Sequence, residues 1–205
     1  MNNVCKTIKG ATLLADISLT LNSGKIYGFV GDNGAGKTVL FKILLGLMRK
    51  TSGSITIDGV ELTDLLQNAG FIIERPEYIP YYSAVKNLAV IAAYHMKTDS
   101  ARIREVLEMF GLDPDDKKAV GKYSLGMKQK LALSMAFMEN PEILILDEPL
   151  NALDEGTVNN ARKHILEARE QGKLILIASH YKEDIQSLCD IVYRMKGGRI
   201  VGNIE

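Results

Sequence analysis

The stretch GDNGAGKT, Gly31 to Thr38, constrains the chain more than any other. It fits G-x-x-x-x-G-K-[ST] and has the flanks that motif requires. Ile26 to Val30 (IYGFV) before it is a short, mostly apolar run, as expected of a buried parallel strand. VLFKILLGLM after it is apolar at helical spacing. Gly31, Gly34 and Gly36 let the backbone curl, so that successive N–H groups, including those of Asp32, Asn33, Ala35 and Val39, turn inward as an anion nest. The following helix adds its positive end. Lys37 is placed to reach β- and γ-phosphates, and the Thr38 hydroxyl to ligate Mg²⁺. The motif specifies phosphate and leaves ATPase, GTPase and kinase open.

Other strands and helices alternate around this unit. Ile17 to Leu21 (ISLTL), Ser54 to Ile57, Phe71 to Ile73, Glu142 to Leu146, Leu174 to Ala178, Ile191 to Met195 and Arg199 to Ile204 read as strands. Asn22-Ser23-Gly24 and Asp58-Gly59 read as turns. The pattern is helical from about Ser83 to Phe110, again from Met127 to Met138, and between the strands at 142–146 and 174–178. The expectation is an α/β domain with a mainly parallel sheet and an inserted α-helical subdomain at about 76–135. A length of 205 residues with 46% hydrophobic content suits one such domain spanning 1–205.

Charge and cysteine use narrow the partners. Twenty-five basic residues balance twenty-five acidic ones, so no global field points to nucleic acid. Cys5 and Cys189 have no CxxC spacing and read as reduced thiols of a cytosolic protein. No apolar run approaches the roughly 18 residues of a membrane helix. MNNVCKTIKG lacks the apolar core of a signal peptide. A cytoplasmic protein is expected, with no direct membrane insertion.

Two further strand ends carry chemistry. ILILDEP delivers Asp147 and Glu148 to the end of a strand where open α/β sheets bind ligands. Asp147 would hold Mg²⁺, and Glu148 would orient or deprotonate the water attacking the γ-phosphate. LILIASH puts His180 just past another buried strand, where an imidazole could hydrogen-bond the γ-phosphate. His95 and His164 have no such setting and read as helix surface.

Taken in order, the P-loop, IIERPEY, YSLGMKQKL, ILILDEP, LNALD and ASH resemble the ATP-binding subunit of an ABC transporter over nearly the whole chain. The fold implied is a P-loop, RecA-like parallel-sheet core with an antiparallel β part. The pair IIERPEY and SLGMKQKL is similar to the bacitracin-resistance and lantibiotic-export branch. The resemblance implies ATP and Mg²⁺ as ligands, ATP hydrolysis, a membrane-spanning partner subunit, and a second ATP-binding subunit. It places the protein peripherally at the inner face of the cell membrane. YSLGMKQKL falls at the family's signature position, usually LSGGQ. Ser124 and Gly126 match it and would close over the γ-phosphate held by the opposite subunit; Leu125 and Met127 depart from it. LNALD lies at the D-loop. Glu74 stands at the Q-loop glutamine, where it would bind Mg²⁺ or position water and couple nucleotide state to the helical subdomain.

Three more features bear on that expectation. Val39 replaces a second threonine of the P-loop, and Ile8 falls where an adenine-stacking aromatic is usual. Tyr78, Tyr81 and Tyr82 crowd the stretch after Glu74, where the family's membrane subunit docks. The chain stops soon after its last strands, so no regulatory domain is expected. The leading expectation is an ATPase powering export of a peptide antibiotic, lantibiotic or other small compound. The alternative is a nucleotide-gated regulatory subunit with slow or no turnover. Cargo, and homodimer against heterodimer, stay open.

Overall fold

The computed structural model describes residues 1–74, 77–95 and 98–204. Arg75 and Pro76 of IIERPEY, and hence the expected start of the helical insertion, lie outside them, as do Met96, Lys97 and Glu205.

The chain opens with an antiparallel pair, β1 (Asn2–Ile8) and β2 (Ala11–Ile17), joined at Lys9-Gly10, where φ is 49° and 82°. The expected strand at Ile17 to Leu21 is corrected: the strand ends at Ile17, and Leu19 beyond it bonds the Met1 carbonyl. Bulges shift the register of the pair between Val4 and Lys6 and again between Lys6 and Thr7, and the buried Leu14 and Ile17 lie an odd number of residues apart, so the period-2 alternation of a half-buried strand is lost. β3 (Ile26–Val30) leads through the glycine-rich loop into α1 (Lys37–Leu44). α1 is shorter than its apolar pattern because Gly46 turns at φ 76°, where a Cβ would stand 2.3 Å from the Asp64 carbonyl oxygen. The expected strand at Ser54 to Ile57 is split. β4 (Ser52–Ser54) joins β1, and β5 (Thr56–Ile57) pairs with β6 (Val60–Glu61) across the Asp58-Gly59 turn.

β7 (Ala69–Ile72) and β8 (Ile143–Asp147) are hydrogen-bonded neighbours, yet among the described residues three α-helices and a short 3-10 turn lie between them in sequence. The α-helices are α2 (Ala84–His95), α3 (Ser100–Met109) and α4 (Leu125–Phe137). Asp99 caps α3 by accepting from the Arg102 N–H at 2.8 Å. α4 starts before the expected Met127 because Ser124 caps it, accepting from the Met127 N–H at 3.2 Å. The chain finishes with α5 (Glu155–Glu170), β9 (Leu174–Ala178), α6 (Lys182–Leu188), β10 (Ile191–Lys196) and β11 (Arg199–Ile204).

The six-stranded sheet has the order β11-β10-β3-β9-β8-β7. All neighbours are parallel except the edge pair β10–β11. Its central strands β3, β9 and β8 are almost wholly apolar, Asp147 at the end of β8 excepted, because both faces are covered. Alternate residues feed two cores. Ile26, Leu144, Leu146, Ile175 and Ile177 pack with α2 to α5, while Phe29, Ile145, Leu176 and Ala178 pack with α1, β1 and β2. Both cysteines are free. The Cys189 sulfur occupies the space a Cβ on Gly28 would need, 2.8 Å away, and burial pushes its thiol up to about 12.

Candidate nucleotide site

The first cluster forms where β3, β8 and β9 end. Gly31, Gly34 and Gly36 have φ of 155°, 80° and 105°, so the loop takes turns that L side chains avoid. A Cβ on Gly31 would lie 2.3 Å from the Met195 carbonyl oxygen, and one on Gly36 would lie 2.8 Å from Leu14. Gly34 faces open space, so backbone conformation alone demands glycine there. Lys37, only 9% exposed, donates from Nζ to the Gly31 carbonyl at 2.7 Å and reaches that of Asp32 at 3.4 Å. Thr38 donates its hydroxyl to Asp147 Oδ2 at 2.6 Å, joining the loop to β8. A cleft of about 370 Å³ is lined by Leu13, Asn33 to Val39, Glu74, Asp147 and Glu148.

Asp147 is 7% exposed. Burial pushes its carboxyl above the usual carboxylate range, and Glu148 and Glu74 add to the shift; the Thr38 hydroxyl and the Lys37 charge oppose it. A divalent cation would favour the ionised form. The Thr38 and Asp147 oxygens are hard donors, adjacent and in the cleft, and they fit Mg²⁺, which binds through one or two carboxylates plus phosphates and water. Among the described residues no cluster of three His, Cys, Asp or Glu side chains could hold a metal.

Glu148 sits one residue past the strand with φ 52°, its N–H bonded to the Ala178 carbonyl at 2.8 Å. His180 Nδ1 stands 2.9 Å from Glu148 Oε2, an ion-pair distance without the alignment of a hydrogen bond. A buried polar chain holds the turn carrying His180. Tyr181 N–H donates to Ser179 Oγ at 3.1 Å, Ser179 donates to Asp184 at 3.1 Å, and Asp184 pairs with Arg162 at 2.7 Å. Sequence reading missed this chain; an acid four residues past a strand-end histidine was its only trace.

Glu74 reaches the cleft wall, but its carboxylate pairs with Lys42 of α1 at 2.7 Å. Ser124 and Gly126 are not brought to this cleft. Ser124 is exposed at the start of α4, next to Leu125 at 71% exposure. A Cβ on Gly126 would lie 2.8 Å from the Ala152 carbonyl oxygen, so α4 begins hard against the LNALD turn. Sequence reading also passed over Gln129, whose Nε2 donates to the carbonyls of Glu148 at 3.2 Å and Pro149 at 2.8 Å. Ile8 is 41% exposed and does not line the cleft; Leu13 does.

Of the remaining histidines, His95 has its side chain outside the described residues. His164 is corrected from surface to half-buried: its ring packs edge-on against Phe110 at 5.7 Å, and Nδ1 lies 2.8 Å from Glu167. A larger cavity, about 740 Å³, opens at the opposite strand ends beside Asn68, Asn140 and Lys173, and holds none of the predicted site residues.

A glycine cradle between strand and helix, with a strand-end acid bonded to its threonine, defines a P-loop nucleoside triphosphatase. The chain belongs to the ABC transporter family: residues 14–151 match the model for that family. It is an ATP-binding subunit and an ATPase of that family. It is 42% identical over 201 residues to the uncharacterized ABC transporter ATP-binding protein YybJ of Bacillus subtilis (strain 168), covering 97% of this chain and 92% of YybJ. It is 35% identical over 202 residues to the lantibiotic transport ATP-binding protein SrtF of Streptococcus pyogenes, covering 98% and 88% of the two chains. With the bacitracin transport ATP-binding protein BcrA of Bacillus licheniformis it shares 40% identity over 197 residues, 92% of this chain and 63% of BcrA. The dimeric structure of MJ0796, a bacterial ABC transporter cassette, superposes with a TM-score of 0.90 over 100% of this chain and 97% of that one. At 23% identity that likeness speaks to the fold.

Proposed function

We propose that this chain hydrolyses Mg·ATP to power an exporter of a peptide antibiotic or lantibiotic, with ATP clamped between two ATP-binding subunits. The observation that carries the reading is the Thr38–Asp147 bond at 2.6 Å, which sets phosphate cradle and metal-binding acid side by side. Lys37 and the Gly31 to Val39 backbone would hold the phosphates. Thr38 and Asp147 would hold Mg²⁺, which neutralises phosphate charge when bound. Glu148, with His180 2.9 Å away, would orient the attacking water and take its proton. Glu74 would exchange Lys42 for groups at the nucleotide. Ser124 and Gly126 would meet the γ-phosphate on the opposite subunit, which fits the exposure of Ser124 here.

The export reading is supported by the likeness to SrtF and BcrA. A membrane-spanning partner is part of it, because among the described residues no helix is long and apolar enough to cross a membrane. Tyr81, 74% exposed with its ring edge-on to Tyr82 at 5.0 Å, is our choice for the docking point. We take 1–205 as one ATP-binding domain with a helical insertion at about 76–135, held at the inner membrane face through that partner.

Two measurements test this. Purified protein should release phosphate from ATP with magnesium and not with EDTA. A strain lacking the gene should become more sensitive to a peptide antibiotic and regain resistance with the wild-type gene but not with Lys37→Ala. Magnesium-dependent hydrolysis with unchanged sensitivity across a peptide-antibiotic panel would refute the export reading and leave the ATPase standing.

A further inference from the structure

We infer that Gln129 is a positioning residue for Glu148, tying helix α4 to the reacting end of β8; the inference rests on Glu148 acting as proposed above. The starting point is backbone strain. Glu148 holds φ 52°, a left-handed conformation that is unfavourable for a non-glycine residue. Such a residue persists only where its surroundings over-determine it. On one side its N–H is bonded to Ala178 on β9 at 2.8 Å. On the other, its carbonyl accepts from Gln129 Nε2 at 3.2 Å and from the Asn151 N–H at 3.4 Å. The same Gln129 nitrogen donates to the Pro149 carbonyl at 2.8 Å. Pro149 is buried, so its carbonyl needs a donor, and Gln129 supplies one.

One amide group therefore bridges two successive carbonyls of the turn that aims the Glu148 side chain. It projects from α4, which already touches the same turn where Gly126 meets Ala152. Ala152 is itself left-handed, at φ 62°. The two contacts sit on one helix, capped at its exposed end by Ser124. A displacement of α4 is thus passed to the Glu148 main chain through Gln129. Catalytic geometry is steep in such displacements: a 1 Å misplacement can cost about 100-fold in rate.

The test compares Gln129→Met, which keeps length and loses the donor, with Gln129→Lys, which keeps a donor of similar reach. Ser134→Ala is the control, because the Ser134 hydroxyl is buried in the same helix and bonds Val106 and Lys130 instead of the turn. For purified protein in steady-state ATP hydrolysis, Gln129→Met should lower kcat by about 10- to 100-fold and leave KM for ATP within a factor of about three. Gln129→Lys should retain most of kcat, and Ser134→Ala should lower thermal stability without touching kcat. Amide hydrogen exchange of the wild-type and Gln129→Met proteins should show faster exchange at residues 150–154 in the variant. A Gln129→Met enzyme with wild-type kcat overturns the inference, as does a Ser134→Ala enzyme with the same loss. If the wild type hydrolysed no ATP, the proposed function would fall, and the exchange measurement would still decide this point: unchanged exchange overturns it.

Discussion

The cleft at the ends of β3 and β8 and the segment Tyr123 to Leu131, both proposed above to meet phosphate, are built in opposite ways. In the cleft, Lys37 is 9% exposed and held by loop carbonyls, Thr38 is bonded to Asp147, and Glu148 is fixed by β9 and α4. In the segment, Ser124 is exposed, its side chain bonds only its own helix, and Leu125 stands 71% exposed beside it. A polar group oriented within its own chain needs little reorganisation when charge arrives. An exposed group that bonds only its own helix takes its function from what lands on it. The first region thus reads as a finished site and the second as half of one.

Glu148→Gln probes the finished site and should have the largest effect. It removes the proposed base and preserves shape, so kcat should fall by about 10²- to 10⁴-fold while ATP affinity stays near wild type. Phosphate release and equilibrium nucleotide binding measure the two separately. An equal fall in both would show that the cleft is held together by this carboxylate rather than merely armed by it. Ser124→Arg probes the half-site. It should lower turnover by about 100-fold, comparable to loss of one charge-stabilising donor, with nucleotide binding by dilute monomer unchanged. If monomer binding weakened too, Ser124 would belong to its own chain's cleft and the contrast would fail.

Much of this contrast was legible in the sequence, and the reason is local. The GDNGAGKT loop, the ILILDEP and LILIASH strand ends and the serine before α4 are contiguous stretches, so short-range pattern places them. What escaped lies across the chain. Gln129 meets Glu148 and Pro149 only because α4 folds onto the end of β8. Lys42 reaches Glu74 from another element, and Arg162 reaches Asp184 across two helices. The β1–β2 pair escapes for a different reason: bulges break its register between Val4 and Thr7, so no regular alternation survives in its residues. His164 was misjudged because one aromatic neighbour, Phe110, covers an otherwise surface-like helix position.

Glycine substitutions sharpen the comparison at smaller cost, because each region uses glycine for a different reason. Gly126→Ala would push a methyl to 2.8 Å from the backbone oxygen of Ala152, and should destabilise the fold by about 1–3 kcal/mol. Gly34→Ala has room for its methyl but not the conformation, at φ 80°, and should cost about 1–2 kcal/mol. Asparagine separates the two causes. It tolerates left-handed backbone, so Gly34→Asn should recover part of the loss, whereas Gly126→Asn should be no better than alanine. Denaturant midpoints of the four variants measure this, and recovery at Gly126 instead would reverse the assignment.

Leu125→Gly should have the smallest effect on folding. The side chain is 71% exposed, so its removal costs chiefly the helix-propensity penalty of glycine, about 0.5–1 kcal/mol. Its effect on turnover should have the opposite sign. If the segment is half of a site, a bulky residue there limits how closely a second subunit's phosphate can approach the N–H groups at the start of α4, and glycine should raise dimer-dependent hydrolysis severalfold. A leucine that instead packs against the second subunit would make the same variant slower and would raise the protein concentration needed for half-maximal activity. Measuring rate against protein concentration distinguishes the two. Only the first outcome keeps the segment as an anion-binding surface rather than an apolar one.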